Sequence, residues 1–157
     1  MLPVGSKIAY PMYGAGIVEG VEEKEILGER RLYYILRFSI DDLQVMVPVT
    51  NEQKVGLRCI CGEEELEEVL RLLQEPWEPV SDNWTHRYRE NFERMKSGVL
   101  LDVARVYKEL CGLDHKKSLS TGDRKMMGTA QRILVSEIAL VKNIPLEDAE
   151  KVLSDAV

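Results

Sequence analysis

Glu75-Pro76-Trp77-Glu78-Pro79 divides this chain. Each proline disfavours helix at the residue before it, so a helix arriving from the N-terminal side must stop here. Such a helix does arrive. Leu66, Val69, Leu70 and Leu73 recur at i, i+3, i+4 and i+7 behind the acidic run Glu63-Glu64-Glu65. That spacing predicts an amphipathic helix, and carboxylates suit its first turn because they face the positive end of the helix dipole.

Upstream of that helix the pattern is β. Lys7-Ile8-Ala9-Tyr10-Pro11 is a short apolar run, followed by a turn at Tyr13-Gly14-Ala15-Gly16. Residues 16–26 alternate, Leu27-Gly28-Glu29-Arg30 turns, and Leu32-Tyr33-Tyr34-Ile35-Leu36-Arg37-Phe38 carries the strongest strand signal. Gln44-Val45-Met46-Val47-Pro48-Val49 reads as a last strand, with Pro48 near its end, where a missing N–H costs little. Four or five short strands in sixty residues predict a small SH3/Tudor-like β-barrel.

Downstream of the break the pattern is helical. Asp82 or Asn83 is the expected cap of a helix over 84–96, on which Trp84, Tyr88, Phe92 and Met95 form a stripe that usually packs into a core. Ser97-Gly98 stops it. A second helix over 99–110 is expected to end at Cys111-Gly112, with 113–119 as a polar connection. Ser120-Thr121-Gly122-Asp123 resembles a capping box and opens a long helix to about residue 142. Pro145 begins a last helix. The expectation is an α+β chain of two domains: a barrel at 1–60, an amphipathic helix and Pro-rich linker at 61–80, and an all-α domain at 81–157.

The composition, 45% hydrophobic and 31% charged, is that of a soluble globular protein. No apolar run approaches the roughly 18 residues a bilayer span needs. Met1-Leu2-Pro3-Val4-Gly5 has no charged n-region before an apolar core, so a cytoplasmic protein is expected. Three cysteines without a secretory signal do not make a disulfide framework. Cys59-Ile60-Cys61 lacks the second Cys/His pair of a zinc site, so no metal is expected, although a metal- or thiol-based sensor remains one reading of that pair. No nucleotide-binding glycine loop, G-x-S-x-G or H-E-x-x-H occurs, and no cofactor or enzymatic activity is expected.

Charge is unevenly placed. Residues 1–75 carry 8 Lys/Arg against 14 Asp/Glu, and residues 84–132 carry 11 against 6. An acidic front and a basic middle suit two kinds of partner. Asn83-Trp84-Thr85-His86-Arg87-Tyr88-Arg89 sets an aromatic side chain beside cations, the set that enters a minor groove and grips its phosphates.

Several stretches carry a resemblance over nearly the whole chain. They include Val4-Gly5 to Tyr10-Pro11, Gly14 to Glu19, Leu43 to Pro48, Val55-Gly56-Leu57-Arg58, Asn83-Trp84 to Arg89, and Ser97-Gly98. Leu119-Ser120-Thr121-Gly122-Asp123-Arg124-Lys125-Met126 and Arg132-Ile133-Leu134-Val135-Ser136-Glu137-Ile138-Ala139 complete the set. With these the chain resembles the CarD/CdnL family of bacterial transcription regulators, and its N-terminal part also resembles a module of transcription-repair coupling factor. The resemblance implies a barrel that binds the RNA polymerase β subunit by strand pairing, through Lys24, Val45, Met46, Val47 and Pro48. It implies a helical domain that contacts promoter DNA at the upstream edge of the bubble, largely independently of sequence, with Trp84 as a wedge. Arg87, Arg89, His86, Arg124 and Lys125 match its basic positions. His86 and Met46 stand where some members carry Arg. A monomer is expected, with self-pairing of the barrel edge possible at high concentration. The competing reading is a protein-only adaptor whose helical domain is a scaffold, in which case Trp84, Arg87 and Arg89 would all be buried.

Overall fold

A computed structural model of the protein describes residues 1–80 and 83–157. Five strands come first: β1 (Lys7–Tyr10), β2 (Gly14–Ile26), β3 (Glu29–Phe38), β4 (Leu43–Pro48) and β5 (Arg58–Cys59). They form one antiparallel sheet in the order β4-β3-β2-β1-β5. The register slips between Val18 and Gly20, a bulge that adds twist to the longest strand. Ile8, Val18, Tyr34, Leu36, Phe38, Val47 and Leu57 fill the core beneath the sheet. The Tyr34 hydroxyl donates to Glu52 and accepts from Leu2 N–H, which ties both ends of the module to that core.

Five helices follow: α1 (Glu63–Gln74), α2 (Trp84–Lys96), α3 (Leu100–Lys116), α4 (Thr121–Lys142) and α5 (Leu146–Ala156). The fold is therefore the expected α+β arrangement. Helix α4 runs through the middle, and Ala130, Leu134 and Ile138 on it are fully buried. Leu66, Val69 and Leu73 of the amphipathic helix α1 belong to the same core. Asn83 caps α2, its side chain accepting from His86 N–H; Asp82, the other candidate cap, lies outside the described residues. Among the described residues no helix is long and apolar enough to cross a membrane.

One expectation needs correcting. Helix α3 does not stop at Cys111-Gly112 but continues to Lys116. Gly112 is there for close approach: a Cβ at this position would fall inside the indole of Trp77. Trp77 lies on the helix at that point, donates from Nε1 to the Glu109 carbonyl (3.2 Å) and carries Lys116 Nζ 5.0 Å from its ring centroid. It therefore holds the Pro-rich segment against α3.

The two bodies are joined by polar contacts around α4. Glu137, fully buried, accepts two hydrogen bonds from the Arg58 guanidinium (3.0 and 2.9 Å) and one from Cys61 N–H (2.8 Å). Arg58 Nε also donates to the Gly98 carbonyl. Ser136 Oγ accepts from Ala15 N–H, and Lys7 Nζ donates to the Leu140 carbonyl. Gly98, at φ 74°, makes the corner between α2 and α3 and lets Pro11 approach to 2.9 Å of where a Cβ would stand.

Candidate nucleic-acid interface

The inward face of α2 is unusual in being largely polar: Arg87, Asn91 and Met95 are its buried residues. Both polar residues have a partner on a neighbouring side chain. Asn91 donates to Glu109 and accepts from Arg94. Arg87, 5% exposed, pairs through Nη2 with Asp123 Oδ2 at 3.1 Å. Asp123 is itself buried in the first turn of α4, where a carboxylate is stabilised by the helix dipole. Its backbone N–H completes the first half of the expected capping box by donating to Ser120 Oγ. Its carboxylate, instead of closing the second half, turns toward α2.

There it meets Trp84. The indole Nε1 donates to both Asp123 Oδ2 and Ser120 Oγ, each at 3.1 Å. The Trp84 ring stacks on Tyr88 (centroids 5.0 Å apart, 23° between planes), and Tyr88 on Phe92 (6.3 Å, 20°). The stripe of Trp84, Tyr88, Phe92 and Met95 was expected to pack as core. Met95 does so and Tyr88 packs half-buried against the core, but Trp84 remains 41% exposed and Phe92 38%. Polar neighbours fill the space behind the rings, so the aromatic edge stays at the surface. Trp84 is thus held on one edge and one face while the rest meets solvent.

The basic candidates separate into three situations. Arg87 matches a basic position but lies in the interior, its guanidinium directed to Asp123. Arg89, Arg124 and Lys125 are exposed, and among the described residues no carboxylate stands within ion-pair distance of any of them. His86 is exposed, with Nε2 3.5 Å from Glu90, so a carboxylate faces it. Lys125 and Arg124 open α4 beside the Trp84–Tyr88 stack, since Gly122 lies against both rings. Sequence reasoning missed Asp123 and Ser120 as partners of the tryptophan. The capping pattern was visible, but nothing local signals a contact with an indole 36 and 39 positions earlier.

On the barrel, β4 is an edge strand paired only with β3. Its outer face shows Gln44 and Met46, while Val47 points inward and is buried, so a partner could reach Val47 only through its backbone. Val45 and Pro48 are half-buried. Lys24 is not on this edge. It lies on β2, two residues beyond the level at which Glu22, Tyr33 and Pro48 align, and pairs with Glu22 at 3.1 Å. Cys59 is exposed on β5, the other edge strand, whereas Cys61 is buried beside Glu137.

Residues 2–60 match the family model "CarD-like/TRCF RID domain", and residues 68–154 match "CarD, C-terminal domain". The chain is 33% identical over 144 residues to the "Putative transcription factor YdeB" of Bacillus subtilis (strain 168), covering 92% of this chain and 94% of that protein. A resemblance that runs through both bodies, with the two domains in the same order, leaves one assignment: the chain belongs to the CarD family of transcription factors.

Proposed function

We propose that this chain is a non-enzymatic regulator that bridges bacterial RNA polymerase and promoter DNA and stabilises the open complex. Strand β4 offers an unpaired edge to the polymerase β subunit. Adding a strand there supplies main-chain hydrogen bonds with little demand on side chains, which suits a strand whose inward residue, Val47, is already used by the core. Met46 gives that surface an apolar contact. Lys24 would touch the partner only if the partner extends past Pro48 along the β2–β3 hairpin.

The observation that carries the DNA half is the posture of Trp84. A tryptophan that merely packs is covered, whereas this ring is 41% exposed yet fixed by two acceptors and a stacked neighbour. Such a ring can stand at the upstream edge of a bubble and replace the stacking lost when base pairs part. Arg89, Arg124 and Lys125 supply cations for phosphates, which fix register without reading sequence. Arg87 and Asp123 act behind the ring as positioning residues. DNA affinity of this kind is weak, salt-dependent and made effective by the polymerase tether.

The test is the lifetime of promoter open complexes formed by bacterial RNA polymerase, with the wild-type chain and with Trp84→Ala. Wild type is expected to lengthen the lifetime, and Trp84→Ala to lose most of that gain while still binding polymerase. If both proteins bind polymerase and neither changes the lifetime, the helical domain is a scaffold and the chain is a protein-only adaptor.

A further inference from the structure

Beyond Trp84 the aromatic stack runs into a groove of about 210 Å³ between α2 and the first turns of α4. Met12, Tyr88, Phe92, Met95, Lys125 and Met126 line it, and no carboxylate does. Met12 comes from the other body: it sits at φ 71° in the turn between β1 and β2 and closes one end. Thioethers and aromatic rings make a polarizable, flat-walled surface. Of the two hydroxyl-bearing residues in the lining, Tyr88 and Thr129, Thr129 Oγ1 already donates to the Lys125 carbonyl and lies 3.5 Å from Arg132 Nη2.

We propose that this groove takes one unpaired nucleobase of the melted DNA strand, next to the step that Trp84 enters, with Lys125 on the adjoining phosphate. The inference rests on the reading of Trp84 as a DNA wedge. Three features favour a base over any other occupant. Tyr88 belongs to both surfaces, stacked on Trp84 and lining the groove, so a strand leaving the wedge passes directly over it. Arg89, Arg124 and Lys125, which face no carboxylate at ion-pair distance among the described residues, lie on the same two helices, complementary to a phosphodiester and superfluous for an apolar peptide side chain. The walls are mainly π faces and sulfur, with no carboxylate or side-chain amide among the lining residues, a composition close to that of sites that hold single strands without sequence preference.

The test places 2-aminopurine at successive unpaired positions just inside the upstream edge of the bubble. Its fluorescence is followed in polymerase open complexes as the full chain is titrated in. One position is expected to be quenched by stacking. Phe92→Ala should raise the concentration for half-quenching by about five-fold or more, the lower range for losing one base–aromatic contact. Lys125→Ala should raise it too and lower the salt dependence by about one unit of slope. Both positions are exposed, and thermal melts confirm that the variants fold. Unchanged quenching in both variants, with Trp84→Ala still shortening the open-complex lifetime, overturns the groove and leaves the wedge standing. Weakened polymerase binding with unchanged quenching overturns it in favour of a polymerase side chain. If Trp84→Ala has no effect on lifetime, the wedge reading fails and the groove falls with it.

Discussion

Asp123 holds the posture of Trp84. One carboxylate, buried at the start of α4, accepts from the indole and from Arg87 and thereby binds the first turn of α2 to the central helix. Removing one partner of a buried ion pair leaves the other charge uncompensated and costs about 3–5 kcal/mol. Arg87→Ala is therefore expected to lower stability by that order in denaturant titrations, yet to leave the salt dependence of open-complex stabilisation unchanged. Arg124→Ala should behave the opposite way: stability within about 0.5 kcal/mol of wild type, and a salt slope lower by about one. If Arg87→Ala instead lowers the slope without destabilising the fold, its assignment to the interior is wrong. Trp84 was singled out in the sequence by the resemblance. The inward turn of Arg87 was not, because it depends on a carboxylate 36 residues away. Cys61 makes a separate case. Burial, and then the Glu137 carboxylate, push its thiol from an ordinary 9.0 up to about 12. The neutral thiol is thus favoured in the folded state, so its contribution is present in full below about pH 9 and is lost as pH rises from there toward 12. Stability should fall over that alkaline range and fall less steeply in Cys61→Ala. At pH 8 a thiol reagent should label exposed Cys59 well before Cys61.

At the scale of elements, the helices show where local pattern succeeds and where it stops. The periodicities of α1, α2 and α4 were legible because each has an apolar or capped repeat that only a helix satisfies. The end of α3 was misread because glycine near a helix terminus is usually a stop, and here it is a seat for Trp77. The two uses of glycine differ only in what lies opposite, which is set by tertiary packing. Gly112→Ala tests this directly. A helical glycine at an ordinary position gains about 1 kcal/mol on becoming alanine. Here the new methyl must expel the indole, an overpacking cost of about 1–3 kcal/mol, so the variant should be no more stable than wild type and its Trp77 more accessible to quencher. A clear gain in stability, with Trp77 unmoved, would show that the indole does not rest on this turn. The aromatic stripe of α2 was misread for a related reason: its period matches a core stripe, but its neighbours across the helix, Arg87 and Asn91, draw the polar side inward.

At the scale of the molecule, Glu137 joins the barrel to the helical body. It accepts from Arg58 and from Cys61 N–H, so one buried carboxylate fixes where β5 leaves the sheet and where α4 meets it. The proposed bridging would need this rigidity, since a wedge tethered to polymerase works only if the tether sets its position. The sequence carried both modules and their order, but not their join: Arg58 and Glu137 are 79 residues apart, and each reads alone as an ordinary surface charge. Bridging makes one demand that no single-site variant examines. Open-complex lifetime should be measured with wild type, Met46→Glu, Trp84→Ala and the double variant. Met46→Glu places a charge on the β4 edge and should weaken polymerase docking. Each single variant is expected to shorten the lifetime, Trp84→Ala by about five-fold or more as befits one lost stacking contact. The double variant should be no worse than Met46→Glu, because a wedge without its tether has nothing left to lose. Shortening that multiplies across the two sites, or a Trp84→Ala chain that stabilises as well as wild type, would contradict the account.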